Sequence, residues 1–155
     1  MQDRKRLVKL ARAARERAYA PYSGFRVGAA LLAGSGKVYT GCNVENASYG
    51  LSLCAERVAL FRAVAEGERI FKVLAVAADA EGAGAGGPAD GGYAGGMPAI
   101  PCGACRQVLA EFAPGLEVIA AASDGRQQVY FLSELFPHPF SLKAIGTGEA
   151  PDHAN

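Results

Sequence analysis

The chain has 155 residues, of which 50% are apolar and 20% charged, and its formal net charge is +1. This length and composition predict one soluble globular domain and exclude a disordered chain. A near-neutral protein has no strong field to gather a polyanion, so the charge balance favours a small uncharged ligand over a nucleic acid.

The first half of the chain predicts a helix, a β-hairpin and a second helix. Apolar residues recur at helical spacing before Pro21 and Gly24, and two apolar runs then flank the turn at 34–36. A loop follows, and an Ala-, Glu- and Leu-rich helix then ends at Gly67, a typical C-cap residue. The predicted elements are a helix at 3–19, strands at 25–33 and 37–42, and a helix at 53–67.

Basic residues crowd the first predicted helix. Such a cluster can contact phosphates, but it more often forms the solvated face of an amphipathic helix, and we interpret it in that way. The residues concerned are Arg4, Lys5, Arg6, Lys9, Arg12, Arg15 and Arg17.

The second half predicts three more strands and a third helix. A nearly continuous apolar run at 70–78 indicates a central strand covered on both faces. A Gly/Ala-rich stretch at 80–96 is interpreted as a flexible surface insertion. A helix at 104–112 and strands at 116–121 and 128–132 complete the chain. The order predicts the α/β class: a three-layer α/β/α domain built on a mixed five-stranded sheet.

The cysteines and the N-terminus indicate a location. We expect no signal peptide, since the N-terminus is charged and no apolar run leads to a cleavage site. No apolar stretch is long enough to span a membrane, so no membrane partner is expected. Four cysteines in such a chain favour metal binding or catalysis over disulfides, and we expect a cytoplasmic protein.

Two short motifs supply three thiols and one carboxylate. Residues 54–56 are Cys-Ala-Glu, and residues 101–105 are Pro-Cys-Gly-Ala-Cys. Both motifs lie at predicted helix starts, where unpaired N–H groups favour thiolate over thiol. Three protein ligands leave a fourth zinc position open, which is typical of a catalytic site. The pattern is that of zinc-dependent nucleobase deaminases.

The net charge of a zinc ion with three thiolates indicates roles for Glu56 and Arg57, which follow Cys54 in the sequence. Zinc with three thiolates carries a net charge of −1 and polarises its water less than a histidine site would. Glu56 can accept the water proton, and Arg57 can hydrogen-bond the sulfurs and offset their charge. A solvent-facing Arg57 is the alternative. For the cluster the alternative is a structural zinc knot, which lacks a fourth ligand close in sequence.

Five sequence blocks together extend this pattern over nearly the whole chain. They are YSGFRVGAA at 22–30, GCNVENASY at 41–49, CAER at 54–57, PCGACRQV at 101–108 and ELFPHPF at 134–140. With these blocks the chain resembles the small, homotetrameric, three-cysteine cytidine deaminases. The resemblance implies a cytidine deaminase-like fold, a domain at 1–146 and a tail at 147–155.

The resemblance also implies the metal and the proton carrier. One Zn²⁺ per subunit would be bound by Cys54, Cys102 and Cys105. Glu56 would take a proton from the water, protonate ring N3, and later protonate the departing ammonia.

The remaining roles concern substrate binding. Asn43 and Glu45 match the pair that holds the ribose 3′-hydroxyl; an Asx-type turn and a surface acid are the alternatives. Phe25 would line the base pocket, with a core aromatic as the alternative. Ala55 would offer backbone groups to the pyrimidine edge. Phe140 would reach the pocket of a neighbouring subunit, or would only pack near the terminus.

The implied activity is hydrolytic deamination of cytidine and 2′-deoxycytidine to the uridine nucleosides, with release of ammonia, in pyrimidine salvage. The implied partners are a small nucleoside and further copies of the chain, in a homotetramer with sites near subunit interfaces. A deaminase of a cytosine nucleoside antibiotic such as blasticidin S shares the zinc blocks. A non-catalytic zinc-binding assembly module is the alternative from another class, against which Glu56 argues.

Overall fold

A computed structural model describes residues 2–78, 99–122 and 125–142. The helices are α1 (Gln2–Arg15), α2 (Ala55–Ala65), α3 (Gly103–Phe112) and α4 (Leu132–Leu135), with a short 3₁₀ turn at Tyr49–Leu51. The strands are β1 (Val27–Ala33), β2 (Val38–Cys42), β3 (Phe71–Ala78), β4 (Glu117–Ala121) and β5 (Gln127–Phe131). The predicted insertion at 80–96 and tail at 147–155 lie outside the described residues. No helix within the described ranges is long and apolar enough to cross a membrane.

The five strands form one mixed sheet in the order β2-β1-β3-β4-β5. Strands β3 and β4 run parallel, with Ala75 opposite Ile119, and the other neighbours are antiparallel. A parallel pair requires a crossover, and the chain between β3 and β4 contains α3. The α/β class and the mixed five-stranded sheet predicted from the sequence are confirmed.

The sheet is covered on both faces. Helix α1 packs Leu7 and Ala11 against one face, where they join a cluster with Ala75 and Ile119. The buried residues of α2 and α3 cover the opposite face, where they join Leu31, Leu74 and Val118. Strand β3 alternates between the two clusters, as its continuous apolar run predicts.

Two local predictions were wrong. Helix α1 ends at Arg15 rather than near residue 19, because the Tyr19 backbone pairs with the loop after β2: its N–H donates to Asn43 O at 3.0 Å, and its carbonyl accepts from Glu45 N at 2.8 Å. Residue 132 begins the unforeseen helix α4 instead of ending a strand, and Leu132 N donates to Leu116 O at 2.8 Å. The other boundaries differ by one or two residues.

The basic face of α1 is only partly solvated. Arg4 forms an ion pair with Glu117 at 2.6 Å. Arg12 donates to Ala122 O at 3.0 Å, and Arg15 donates to Ala78 O at 3.2 Å. These arginines therefore tie α1 to the ends of β3 and β4, a role that the sequence interpretation did not assign to them.

Candidate metal centre and active site

The amino termini of α2 and α3 meet at one point. Cys54 is the N-cap residue of α2 and Cys102 that of α3, both with extended backbone angles. Their carbonyls accept the first helical hydrogen bonds, from Val58 N at 3.1 Å and Arg106 N at 2.9 Å. Each N-cap sulfur therefore lies beside unpaired N–H groups and the positive end of a helix dipole.

Three sulfurs converge there. The Sγ atoms of Cys54, Cys102 and Cys105 all lie within 4.8 Å of one another, and those of Cys54 and Cys102 are 3.9 Å apart. A tetrahedral zinc site with Zn–S bonds of about 2.3 Å places its sulfurs about 3.8 Å apart. The spacing and the soft donor set therefore fit one Zn²⁺, with one coordination position left open.

The surroundings of Cys54 favour its thiolate form. A hydrogen bond from Cys105 lowers the pKa of Cys54 to about 5 against the opposing effect of burial, and Arg57 adds a hydrogen bond and a positive charge. The same hydrogen bond and the burial of Cys105 raise the pKa of Cys105. Arg57 Nη2 lies 3.5 Å from Cys54 Sγ and also donates to Ser52 O at 3.3 Å.

Glu56 is a buried carboxyl beside the sulfurs. It is the second residue of α2 and is only 4% exposed. Burial, and to a smaller extent the charge of Cys54, raise the pKa of Glu56 to about 7, against the opposing effects of a backbone hydrogen bond and the charge of Arg57. A carboxyl whose pKa lies near neutrality can both accept and return a proton.

A cavity of about 280 Å³ opens beside the cluster, near the lower end of the range of about 300–1,000 Å³ usual for small-molecule sites. Its wall is apolar at Val76 and Ile100 and polar at Ser52. Most of the site residues predicted from the sequence line it: Phe25, Asn43, Glu45, Cys54, Ala55, Glu56 and Cys102.

Asn43 and Glu45 form what we call the polar end of the cavity, and Asn43 connects this end to the sheet. Its Oδ1 accepts from Val27 N at 2.8 Å, and its Nδ2 donates to Phe25 O at 2.8 Å. The Asx-type turn considered for Asn43 is made instead by Asn46, whose Oδ1 accepts from Ser48 N at 2.8 Å. One amide hydrogen and one carbonyl lone pair of Asn43 remain for a ligand.

The carboxylate of Glu45 is held by the loop before β1. It accepts from Tyr22 N at 3.0 Å, from Ser23 N at 3.2 Å and from Ser23 Oγ. Burial acts to raise the pKa of Glu45, but these hydrogen bonds outweigh it and the pKa is lowered. Glu45 is therefore an ionised, oriented acceptor rather than a loose surface acid.

Phe140 does not line the described cavity. Phe140 is 64% exposed as a residue, while its backbone is held on both sides by Gln107 of α3. Phe140 N donates to Gln107 Oε1 at 2.9 Å, and Gln107 Nε2 donates to Phe140 O at 2.9 Å. An exposed aromatic ring on a fixed backbone is available to another molecule.

Three residues near the site were not predicted from the sequence. Ser52 lines the cavity, and Ser23 holds Glu45. Arg106 donates to Pro101 O at 2.8 Å and to Leu135 O at 3.0 Å, which ties the residue before Cys102 to α4. Ser23 and Arg106 belong to recognisable sequence blocks, but their partners are distant in the chain and only the fold reveals them.

Comparison with known proteins gives consistent matches. The family model for the cytidine and deoxycytidylate deaminase zinc-binding region matches residues 1–121. A cytidine deaminase of Sporosarcina psychrophila is 46% identical over 144 residues, which cover 92% of this chain and 95% of that protein. One from Halalkalibacterium halodurans is 47% identical over 142 residues, covering 91% and 96%. The crystal structure of cytidine deaminase from Burkholderia pseudomallei is 47% identical, with a TM-score of 0.76, and covers 88% of this chain and 98% of that one.

Proposed function

Because the chain belongs to the cytidine and deoxycytidylate deaminase zinc-binding family, we propose that it catalyses hydrolytic deamination of cytidine and 2′-deoxycytidine. The products are uridine or 2′-deoxyuridine and ammonia, and the usual role of this reaction is pyrimidine salvage. The observation that carries the proposal is the buried carboxyl of Glu56 beside three converging sulfurs, in one cavity with the polar pair Asn43 and Glu45.

The three cysteine sulfurs are the ligands for the family's zinc. Cys54, Cys102 and Cys105 would hold one Zn²⁺ per subunit. When bound, the ion acts as a Lewis acid that lowers the pKa of a water and so supplies a nucleophile at neutral pH. The guanidinium of Arg57 offsets the negative charge of the sulfurs through its contact with Cys54.

Glu56 moves the protons. Its carboxylate accepts a proton from the attacking water and delivers one to ring N3 of the substrate. It then takes the proton of the new C4 hydroxyl and delivers it to the amino group, so that the C4–N bond breaks, ammonia leaves, C4 becomes a carbonyl and the carboxylate is regenerated. A positioned acid–base group of this kind contributes about 100- to 10,000-fold to the rate.

The rest of the cavity orients the nucleoside. Asn43 and Glu45 lie at its polar end and would bind the ribose 3′-hydroxyl, with the amide donating and the carboxylate accepting. The Phe25 ring would stack on the base. Ala55, fully buried at the start of α2, would present its backbone to the pyrimidine edge.

We propose that the enzyme is a cytoplasmic homotetramer in which Phe140 of one subunit lines the site of its neighbour. Exposed Tyr49, Leu51 and Phe140 offer apolar surface for such contacts. Cysteines bind zinc only when reduced, which supports a reducing compartment. We further propose that residues 1–146 form the deaminase domain and residues 147–155 a tail.

The direct test is to incubate the purified, zinc-loaded protein with cytidine and to follow ultraviolet absorbance and ammonia release. We expect turnover, and we expect Glu56→Gln to retain zinc while losing at least about 100-fold of the activity. Glu111→Gln, an exposed change on α3, is the matched control and should keep full activity. Absence of turnover at full zinc content would contradict the proposal, and preferential turnover of blasticidin S would favour the antibiotic alternative.

A further inference from the structure

Ser23 connects two walls of the cavity. Its hydroxyl donates a hydrogen bond to Glu45 Oε1 and accepts one from Phe25 N at 3.0 Å. Its own N–H donates to the other carboxylate oxygen, Glu45 Oε2, at 3.2 Å. One small side chain thus contacts both the carboxylate at the polar end and the backbone of the aromatic residue.

The bonds to Glu45 leave little of its carboxylate free. An ionised carboxylate has about four acceptor sites, and Tyr22 N, Ser23 N and Ser23 Oγ fill three of them. The remaining site is fixed in direction because both oxygens are already held. A ligand hydroxyl that donates to Glu45 therefore meets an acceptor that needs no reorientation.

Two hydrogen bonds hold the backbone of Phe25, another residue of the cavity wall. Ser23 Oγ holds the N–H of Phe25, and Asn43 Nδ2 holds its carbonyl at 2.8 Å. Of these two partners, Asn43 lies at the polar end of the cavity, and Ser23 is hydrogen-bonded to Glu45 at the same end. The distance between the polar end and the ring is therefore set through Ser23 and Asn43 together.

We propose that Ser23 is a positioning residue that orients the Glu45 carboxylate and thereby selects nucleosides bearing a 3′-hydroxyl. The inference rests on the proposed function and adds the residue that makes Glu45 selective. Ser23 acts through Glu45 and Phe25, without itself contacting the reacting atoms.

The test compares cytidine with 3′-deoxycytidine. In Ser23→Ala the carboxylate loses a charge-assisted hydrogen bond and can rotate, so kcat/KM for cytidine should fall about tenfold or more, chiefly through KM. The value for 3′-deoxycytidine should change much less, because that substrate lacks the group that Glu45 binds. The ratio between the two substrates should therefore fall. A general loss of stability would leave this ratio unchanged.

Three variants separate positioning from folding. Ser23→Thr keeps the hydroxyl and should keep the wild-type ratio of kcat/KM between cytidine and 3′-deoxycytidine. Ser23→Cys has a similar volume but a weaker hydrogen-bond donor, so it should lower that ratio. Ser35→Ala is the matched control: Ser35 Oγ likewise donates to a carboxylate, that of Glu68, and accepts from Lys37 N two residues on, at 3.4 Å. Ser35 belongs to the hairpin turn and does not line the cavity, so its variant should keep the wild-type ratio.

The outcomes distinguish the inference from the function on which it rests. A wild-type protein that does not deaminate cytidine overturns both, whereas one that deaminates cytidine without preferring it to 3′-deoxycytidine overturns the inference and leaves deamination standing. If the wild type shows the preference and both Ser23→Ala and Ser23→Cys retain it, only the inference is wrong. A lower ratio in both variants, with no further fall when Glu45→Gln is added, supports it.

Discussion

Gly41 of β2 lies so close to α2 that a Cβ at this position would come within 2.4 Å of the Ala55 carbonyl oxygen. The same Cβ would lie 2.5 Å from Ala59 N, so backbone atoms would have to move. Ala55 follows the ligand Cys54 and precedes Glu56. The missing side chain at Gly41 therefore sets how closely the start of α2 approaches the sheet.

We expect Gly41→Ala to lower both the free energy of unfolding and the affinity for zinc. Overpacking of this kind costs about 1–3 kcal/mol, and the displaced backbone carries the ligand and the proton carrier. Thermal unfolding and chelator competition measure the two effects. Gly28→Ala, whose Cβ would lie 2.0 Å from Ala11 O on α1, should be as destabilising with less effect on the metal. Equal zinc affinity in both variants would contradict this account.

The contact of Arg57 with Cys54 leads to a second prediction. Arg57→Leu should weaken zinc binding by about 10- to 100-fold, the usual effect of losing a group that hydrogen-bonds a metal ligand. Arg62→Leu on the same helix is the control, since Arg62 donates only to Thr40 O in β2 among the described contacts. Chelator competition measures the zinc affinity of both variants. Equal affinities would show that the contact of Arg57 with Cys54 does not contribute to zinc binding.

Removing the metal should destabilise the protein. The three ligands join the N-termini of α2 and α3, so zinc binding to the folded state stabilises it by about 2.7 kcal/mol at a free concentration 100 times Kd. Adding a chelator should therefore lower Tm, and Cys102→Ser should abolish that response. Cys42→Ser should preserve it, because Cys42 Sγ donates to Arg17 O at 3.4 Å and lies outside the cluster. A chelator response that disappears in Cys42→Ser would contradict the ligand assignment.

The sequence predicts those parts of the fold and site that depend on local pattern. The five strands follow from apolar runs and turn residues, and the three cysteines and Glu56 follow from their spacing at helix starts. The errors occur where distant residues compete with local propensity. Helix α1 ends early because Tyr19 pairs with the loop at Asn43 and Glu45, a contact that no local pattern encodes.

The polar end of the cavity shows the same limit. Asn43 and Glu45 could be selected from a motif, but the motif does not reveal that Asn43 bridges Phe25 O and Val27 N. Likewise Ser23 belongs to a recognisable block, but its bond to Glu45 becomes visible only in the fold. The sequence shows which side chain occupies each position. The orientation of that side chain depends on hydrogen bonds between segments that are far apart in the chain.

Phe140 gives a prediction about assembly. Its ring is largely exposed, so Phe140→Ala should leave the stability of a single subunit nearly unchanged. If the ring completes a neighbouring site, kcat/KM for cytidine should nevertheless fall. Gln107→Ala releases both backbone bonds to Phe140 and should lower kcat/KM in the same direction. Unchanged kinetics in both variants would show that the ring has no role in the reaction.

Mixing two defective variants tests whether the ring acts between subunits. Glu56→Gln subunits keep Phe140 but lack the proton carrier, whereas Phe140→Ala subunits keep Glu56. In mixed oligomers a Phe140→Ala subunit can receive the ring of a Glu56→Gln neighbour, so co-refolded mixtures should exceed the summed activities of the separate proteins. Native mass spectrometry would verify that subunits have exchanged. Strictly additive activity in verified mixed oligomers would mean that each Phe140 serves only its own subunit, because complementation requires a group that crosses the interface.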